Sequence, residues 1–387
     1  MNARGQEGLC RVTGMLVLLA ILLVVALPLS LGGIAASGAE FVVAFAWFGI
    51  VLTSIGRTSN RPLGVLRSHM PFLMLLVYLL VVGALAENPL RHLAALRVLV
   101  SGYLFYLLIL GVPGDFGCRL RTLGWSFVTF DAIVCVLLLV SGDPHHAHTP
   151  YGRSNVLASI ALLSLSLALG MLSETVAGRG GKGMWFLLSA LAATAITVTQ
   201  SGGAIISAVI VTAVWSTGRF ARGSKRRLAG ACVVFGGIGL YVFRPALGLI
   251  LQDPNFYYRV GIYEAYLQAF LRSPWIGSGL LNVEIVKNSQ AMGLESEYMH
   301  AHNLLLQILA DTGICGLVLM SAMLGAVFRR SLRGSSGCRR AGLLIWCGMV
   351  VHGLVEPNYF SIYYNLFFMA SLGILAMEGS QTVESQE

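Results

Sequence analysis

The sequence predicts an all-α integral membrane protein of about twelve transmembrane helices, with one large outward loop that contains short helices. Three observations predict it. Of the 387 residues, 56% are hydrophobic and only 11% are charged, whereas a soluble domain carries roughly 25% charged residues to face water. Apolar runs long enough to cross roughly 30 Å of hydrocarbon recur along the whole chain. The basic residues between those runs alternate in number from one side to the other.

In chain order the runs fall near residues 14–34, 38–55, 70–86, 93–112, 121–141 and 155–173, then 184–199, 202–218, 228–248, 301–328, 341–355 and 359–377. Each is too long for a barrel strand and lacks the two-residue alternation of one, so each reads as a helix. The first, Met15 to Ile34, has a basic start and small residues at its end, features that a cleaved signal peptide shares; the further runs that follow favour a span. Of the 26 Lys and Arg residues, 19 lie in segments on the side of the N-terminus and 7 on the other. Basic residues collect on the cytoplasmic side, so both ends are expected in the cytoplasm.

The formal net charge of +9 invites a nucleic-acid reading. The charge sits in short clusters between apolar runs and makes no basic face or arm, so no nucleic-acid partner is expected. Cys10, Cys118, Cys135, Cys232, Cys315, Cys338 and Cys347 lie in apolar runs or in loops on the basic side, with no disulfide framework or zinc spacing. With no repeat, low-complexity tract or separate soluble domain, residues 1–387 read as one polytopic membrane domain.

Within it, residues 249–300 form the large outward loop, which carries Asp253, Arg259, Glu264, Arg272, Glu284, Lys287, Glu295 and Glu297. Val260, Tyr263, Leu267, Phe270 and Leu271 suit a helix lying along the membrane surface. Ser273-Pro274 ends that helix, and Gly277 and Gly279 predict a turn.

His300-Ala301-His302-Asn303 stands where this loop meets the following apolar run, with Gly313 and Gly316 further on. On a straight helix Gly313 falls about 20° and Gly316 about 40° from His302, so the three share a face on which small residues admit a second helix. A histidine at a helix start is a candidate proton acceptor, and equally an interfacial polar residue. Arg91, Arg97, Arg153, Arg244 and Arg259 lie near the outward membrane ends, where orientation rules do not ask for them. Guanidinium groups there suit a diphosphate, whose oxygens each can bind through two hydrogen bonds; snorkelling and lipid headgroups are the alternative.

His145, His146 and His148 resemble metal ligands at first sight but have no catalytic zinc spacing, so no metal is expected. The glycine-rich pieces at 178–183 and 236–239 lack a phosphate-loop pattern. Glu356-Pro357-Asn358 marks the turn between the last two helices, with His352 one turn earlier. Ionisable groups at membrane depth are functional candidates, although a polar turn also accounts for Glu356.

Taken together these features resemble the O-antigen ligase and O-antigen polymerase superfamily of bacterial membrane glycosyltransferases. The resemblance rests on His302-Asn303 followed after nine residues by Gly313-Ile-Cys-Gly316. Arg259-Val-Gly-Ile-Tyr263, leading to Pro274-Trp-Ile-Gly277-Ser-Gly279, also carries it, and so, less specifically, does Gly152-Arg153-Ser-Asn155. It covers roughly residues 150–320. Two departures stand out: Ser201-Gly202-Gly203 replaces the family's Ser-Arg-Gly, and Leu317-Val318 replaces a threonine-rich continuation.

The resemblance implies an inner-membrane enzyme that moves a glycan from undecaprenyl diphosphate to a glycan or lipid-glycan acceptor at the periplasmic face, with neither cofactor nor metal. It implies His302 and Arg259 as catalytic residues, and Arg153, Arg244, Asn303, His300 and Arg91 as substrate contacts. Ligase and polymerase share these residues. A transporter or lipid flippase is the alternative class; such proteins place their site near the midplane, often between related halves, and no internal repeat is visible here.

Overall fold

The computed structural model describes residues 62–111, 116–141, 154–173, 179–220, 254–283 and 300–384, and among them every regular element is helical. Ten α-helices follow one another: α1 Pro62–Leu85, α2 Pro89–Gly111, α3 Phe116–Ser141, α4 Ser154–Leu172, α5 Arg179–Val198, α6 Gly202–Phe220, α7 Pro254–Arg272, α8 Leu304–Ser331, α9 Ser336–Gly353 and α10 Ile362–Glu384, with one 3₁₀ turn at Asn358–Phe360. Nine of them overlie nine of the apolar runs. The runs near 14–34, 38–55 and 228–248 lie outside the described residues. Five described helices are long and apolar enough to cross a membrane: Pro89–Leu107, Phe116–Val140, Ser154–Leu172, Gly181–Val198 and Leu304–Ser331.

The centre of the bundle is α4, almost wholly buried, with α5 and α9 packed on it and α3, α6 and α10 around them. Small residues permit this. A Cβ at Gly170 would collide with the backbone of Ala341, so α4 and α9 touch main chain to main chain. Serines at 159, 164 and 166 return their hydroxyls to carbonyls one turn back, which satisfies them inside an apolar surround. A second layer joins α1 to α8 and α2 to α10.

Helix α7 appears where the loop sequence placed a helix, and besides the stripe expected along the membrane surface it carries a second apolar face that packs on the protein. Ile262 and Tyr266 are each 1% exposed and pack on Val283, Ala301 and Ala310, whereas Val260, Leu267 and Leu271 are exposed. Both faces of the helix are therefore apolar.

The straight-helix geometry expected after His302 is corrected by the structure. His302 lies outside α8 with a positive φ of 48°, and α8 breaks at Gly313, whose φ of 63° and ψ of −172° belong to a region open essentially to glycine. The close approach that Gly313 permits is to the loop, not to a second helix. A Cβ there would strike the backbone of Trp275 and Ile276, and one at Gly277 would strike Asp311 and Thr312. Backbone groups freed by the break are taken up by the turn: Ile314 N–H donates to the Pro274 carbonyl at 2.8 Å, and Ser278 and Gly279 N–H donate to Ala310 and Asp311 carbonyls at 2.9 Å. The Tyr78 hydroxyl donates to the Thr312 carbonyl at 2.6 Å. Backbone groups freed at the break thus anchor the loop and α1 to α8.

Candidate active site

The turn after α9 and the start of α8 meet above α4. Asn303 is the N-cap of α8: its side chain accepts from Leu306 N–H at 3.0 Å, and its amide reaches the Leu354 carbonyl at 3.4 Å. These bonds tie the residue after His302 to the end of α9. Nδ1 of His302 stands 2.9 Å from Oε2 of Glu356, and the same oxygen accepts from the Asn155 amide at 3.2 Å. Asn155 is in the first turn of α4, so three separate segments converge on one carboxylate.

Burial pushes the Glu356 carboxyl upward. The hydrogen bond and charge of His302, with His300 and His352 nearby, outweigh burial and hold it below the ordinary value of 4.5. A carboxylate only accepts hydrogen bonds, so Nδ1 of His302 carries the proton. In the neutral form of the ring Nε2 keeps its lone pair, and no described residue occupies it. The side chain of His302 is 22% exposed, which leaves that nitrogen reachable.

Helix α7 delivers Arg259 to the same end of the molecule. The Tyr263 hydroxyl donates to the His302 carbonyl at 3.4 Å, and Arg259 lies one turn earlier on that helix, half-buried and without a hydrogen bond or ion pair among the described residues. Arg91 sits in the first turn of α2, held through its backbone by Asn88, with its charge felt at Tyr266. His300 stacks near Phe360, ring centres 6.2 Å apart. Arg153 and Arg244, together with His145, His146 and His148, lie outside the described residues. Among the described residues no group of three or more His, Cys, Asp or Glu could hold a metal.

Below Glu356 a pocket with a cavity volume of about 60 Å³ opens into the bundle between α1, α2, α8, α9 and α10. Its walls are leucines from the first two of these helices, Met320, Met323, Met349 and Met369, and Phe368; His352, Glu356 and Asn358 stand at its polar end. Unbranched methionines make such a wall adaptable. The Asn358 amide donates to Ser159 Oγ and reaches the Asn155 carbonyl, joining α4 again to the turn.

Two comparisons with known proteins bear on this arrangement. The family model described as O-antigen ligase matches residues 187–321, a segment that ends on α8 just past Gly316. The exopolysaccharide production protein ExoQ of Rhizobium meliloti (strain 1021) is 25% identical over 239 residues, covering 55% of each chain. Both support the O-antigen ligase and polymerase superfamily. The resemblance drawn from His302-Asn303 and the two glycines is thereby borne out. The chain spans about half the length of the curated relative it matches.

These likenesses add weight to residues that the sequence weighed singly. Glu356 and His352 were visible as ionisable residues near the last turn, and Asn155 as part of a family-like segment, but nothing in the sequence joins Glu356 to His302. Those residues are separated by the whole of α8 and α9. The tertiary fold supplies the pairing.

Proposed function

We propose that this protein transfers a glycan from undecaprenyl diphosphate to an acceptor glycan at the periplasmic face of the bacterial inner membrane, through twelve spans with both ends in the cytoplasm. The observation that carries the reading is the His302–Glu356 pair, which leaves Nε2 of a neutral imidazole as an accessible base. In the reaction, an acceptor hydroxyl oxygen bonds to the anomeric carbon while the bond from that carbon to the diphosphate oxygen breaks. The hydroxyl proton passes to Nε2 of His302, and Glu356 stabilises the imidazolium that forms. The electron pair leaves with the undecaprenyl diphosphate, whose charge Arg259 neutralises. Arg91 and His300 serve as further substrate contacts, Arg153 and Arg244, outside the described residues, are candidates for the same role, and Asn303 acts mainly by capping α8.

The apolar pocket supports a lipid-linked donor. It runs from the polar end at Glu356 into the bundle, so a short stretch of the donor's hydrocarbon can enter it while the headgroup stays beside His302. Ligase and polymerase reactions use the same chemistry and differ in acceptor. Mass spectrometry of lipid-linked glycans in a deletion strain separates them: long lipid-linked polymer marks a ligase, and single repeat units mark a polymerase. A deletion strain with no lipid-linked glycan accumulating contradicts the proposal.

A further inference from the structure

Gln307 lies in the second turn of α8, five residues after His302, and is fully buried. Its amide has three partners. Oε1 accepts from the Ala301 N–H at 2.7 Å; Nε2 donates to Oδ2 of Asp311 at 2.8 Å and to the Tyr266 hydroxyl at 3.2 Å. Asp311, also fully buried, accepts from Leu281 N–H at 3.2 Å. The amide orientation follows from its partners, since a backbone N–H only donates and a carboxylate only accepts.

Those partners connect the two halves of the candidate site. Ala301 immediately precedes His302, whose left-handed backbone must be held by its surroundings. Tyr266 is on α7, seven residues beyond Arg259 and within about 20° of it around the helix. Packing alone does not call for an amide at 307. A leucine would fill the volume and take away the bonds that Ala301, Asp311 and Tyr266 each make to the amide.

We propose that Gln307 is a positioning residue which, through Ala301 and Tyr266, fixes His302 relative to the face of α7 that carries Arg259. Its effect on rate rests on the glycan-transfer reading above; its effect on geometry does not. Gln307→Leu removes all three bonds. Gln307→Glu keeps an oxygen toward Ala301 but sets a second carboxylate against Asp311. Adding Asp311→Asn removes the second carboxylate: the new amide nitrogen donates to the carboxylate at position 307, and since Gln307 and Leu281 share Oδ2 of Asp311, the exchange gives up the bond from Leu281 N–H and keeps the one at Ala301.

The full-length protein in lipid vesicles gives two readouts. Hydrogen exchange at the Ala301 amide is expected to be slow in the wild type, fast in Gln307→Leu and Gln307→Glu, and slow again in the exchanged double variant. Transfer from an undecaprenyl diphosphate-linked glycan is expected to lose about tenfold or more in kcat in both single variants, with a shifted pH profile and donor KM changed less than about twofold, and to recover in the double variant. Unchanged exchange in Gln307→Leu overturns the proposal. So does an unchanged kcat and pH profile in Gln307→Leu where the wild type is active. If the wild type transfers nothing, the functional reading fails, and the exchange pattern alone decides the positioning role: loss with recovery supports it, and any other pattern overturns it.

Discussion

Nδ1 of His302 and Oε2 of Glu356 stand 2.9 Å apart, though 54 residues separate them in the chain. The contact joins the start of α8 to the turn after α9 and fixes which ring nitrogen carries the proton. Replacing the carboxylate by an amide removes that control. Glu356→Gln is expected to lower the transfer rate by about 10²- to 10³-fold, since general-base assistance of this kind contributes about 10²- to 10⁴-fold. Initial rates with purified protein measure it, and a loss below tenfold would show that Glu356 does not act through His302.

The same pair makes a pH prediction. Glu356 is held below its ordinary value of 4.5, so its stabilising effect is fully present above that value and is lost as pH falls through the lower folded value. Thermal midpoints of the wild type and Glu356→Gln should differ at pH 7 and draw together as the pH falls below 4.5. A constant gap down to pH 3 is the contrary result.

Gly313 and Gly277 face each other's neighbouring backbone across the break in α8. Gly313→Ala puts a side chain into a conformation that costs about 1–3 kcal/mol and drives its Cβ into Trp275. The expected outcome is a marked fall in thermal midpoint, with Gly325→Ala, where the Cβ meets nothing within 4 Å, as the control that does not fall.

Gly202 stands where the family carries arginine. Its position is exposed, and a Cβ there meets nothing within 4 Å. Gly202→Arg should change stability by no more than about 0.5 kcal/mol and lower the KM for a diphosphate donor. An unchanged KM in a well-folded variant would mean that this position does not face the donor.

The pocket below Glu356 gives a chain-length prediction. Met323→Trp fills part of it and should reduce use of the undecaprenyl donor while a soluble short-chain donor is used as by the wild type. Equal losses with both donors would place the hydrocarbon chain elsewhere.

What the sequence made legible follows from local physics. Apolar length located nine described helices, and the proline and two glycines of residues 274–279 announced a turn, because both signals depend on near neighbours alone. The second apolar face of α7 was not legible: Ile262 and Tyr266 are as apolar as Val260, Leu267 and Leu271, and only the packing of Ala301 and Ala310 decides which face is covered. The break at Gly313 was hidden for a similar reason. A glycine in an apolar run looks like helix packing until the carbonyl of Pro274 is seen to take the Ile314 N–H. The pairing of His302 with Glu356 needed α8 and α9 folded side by side.

The most direct measurement is glycan transfer from a labelled undecaprenyl diphosphate donor by purified wild-type and His302→Ala proteins in vesicles. Loss of transfer to background in His302→Ala, with membrane insertion and thermal midpoint preserved, is the predicted result. Near-normal transfer by His302→Ala would contradict the account.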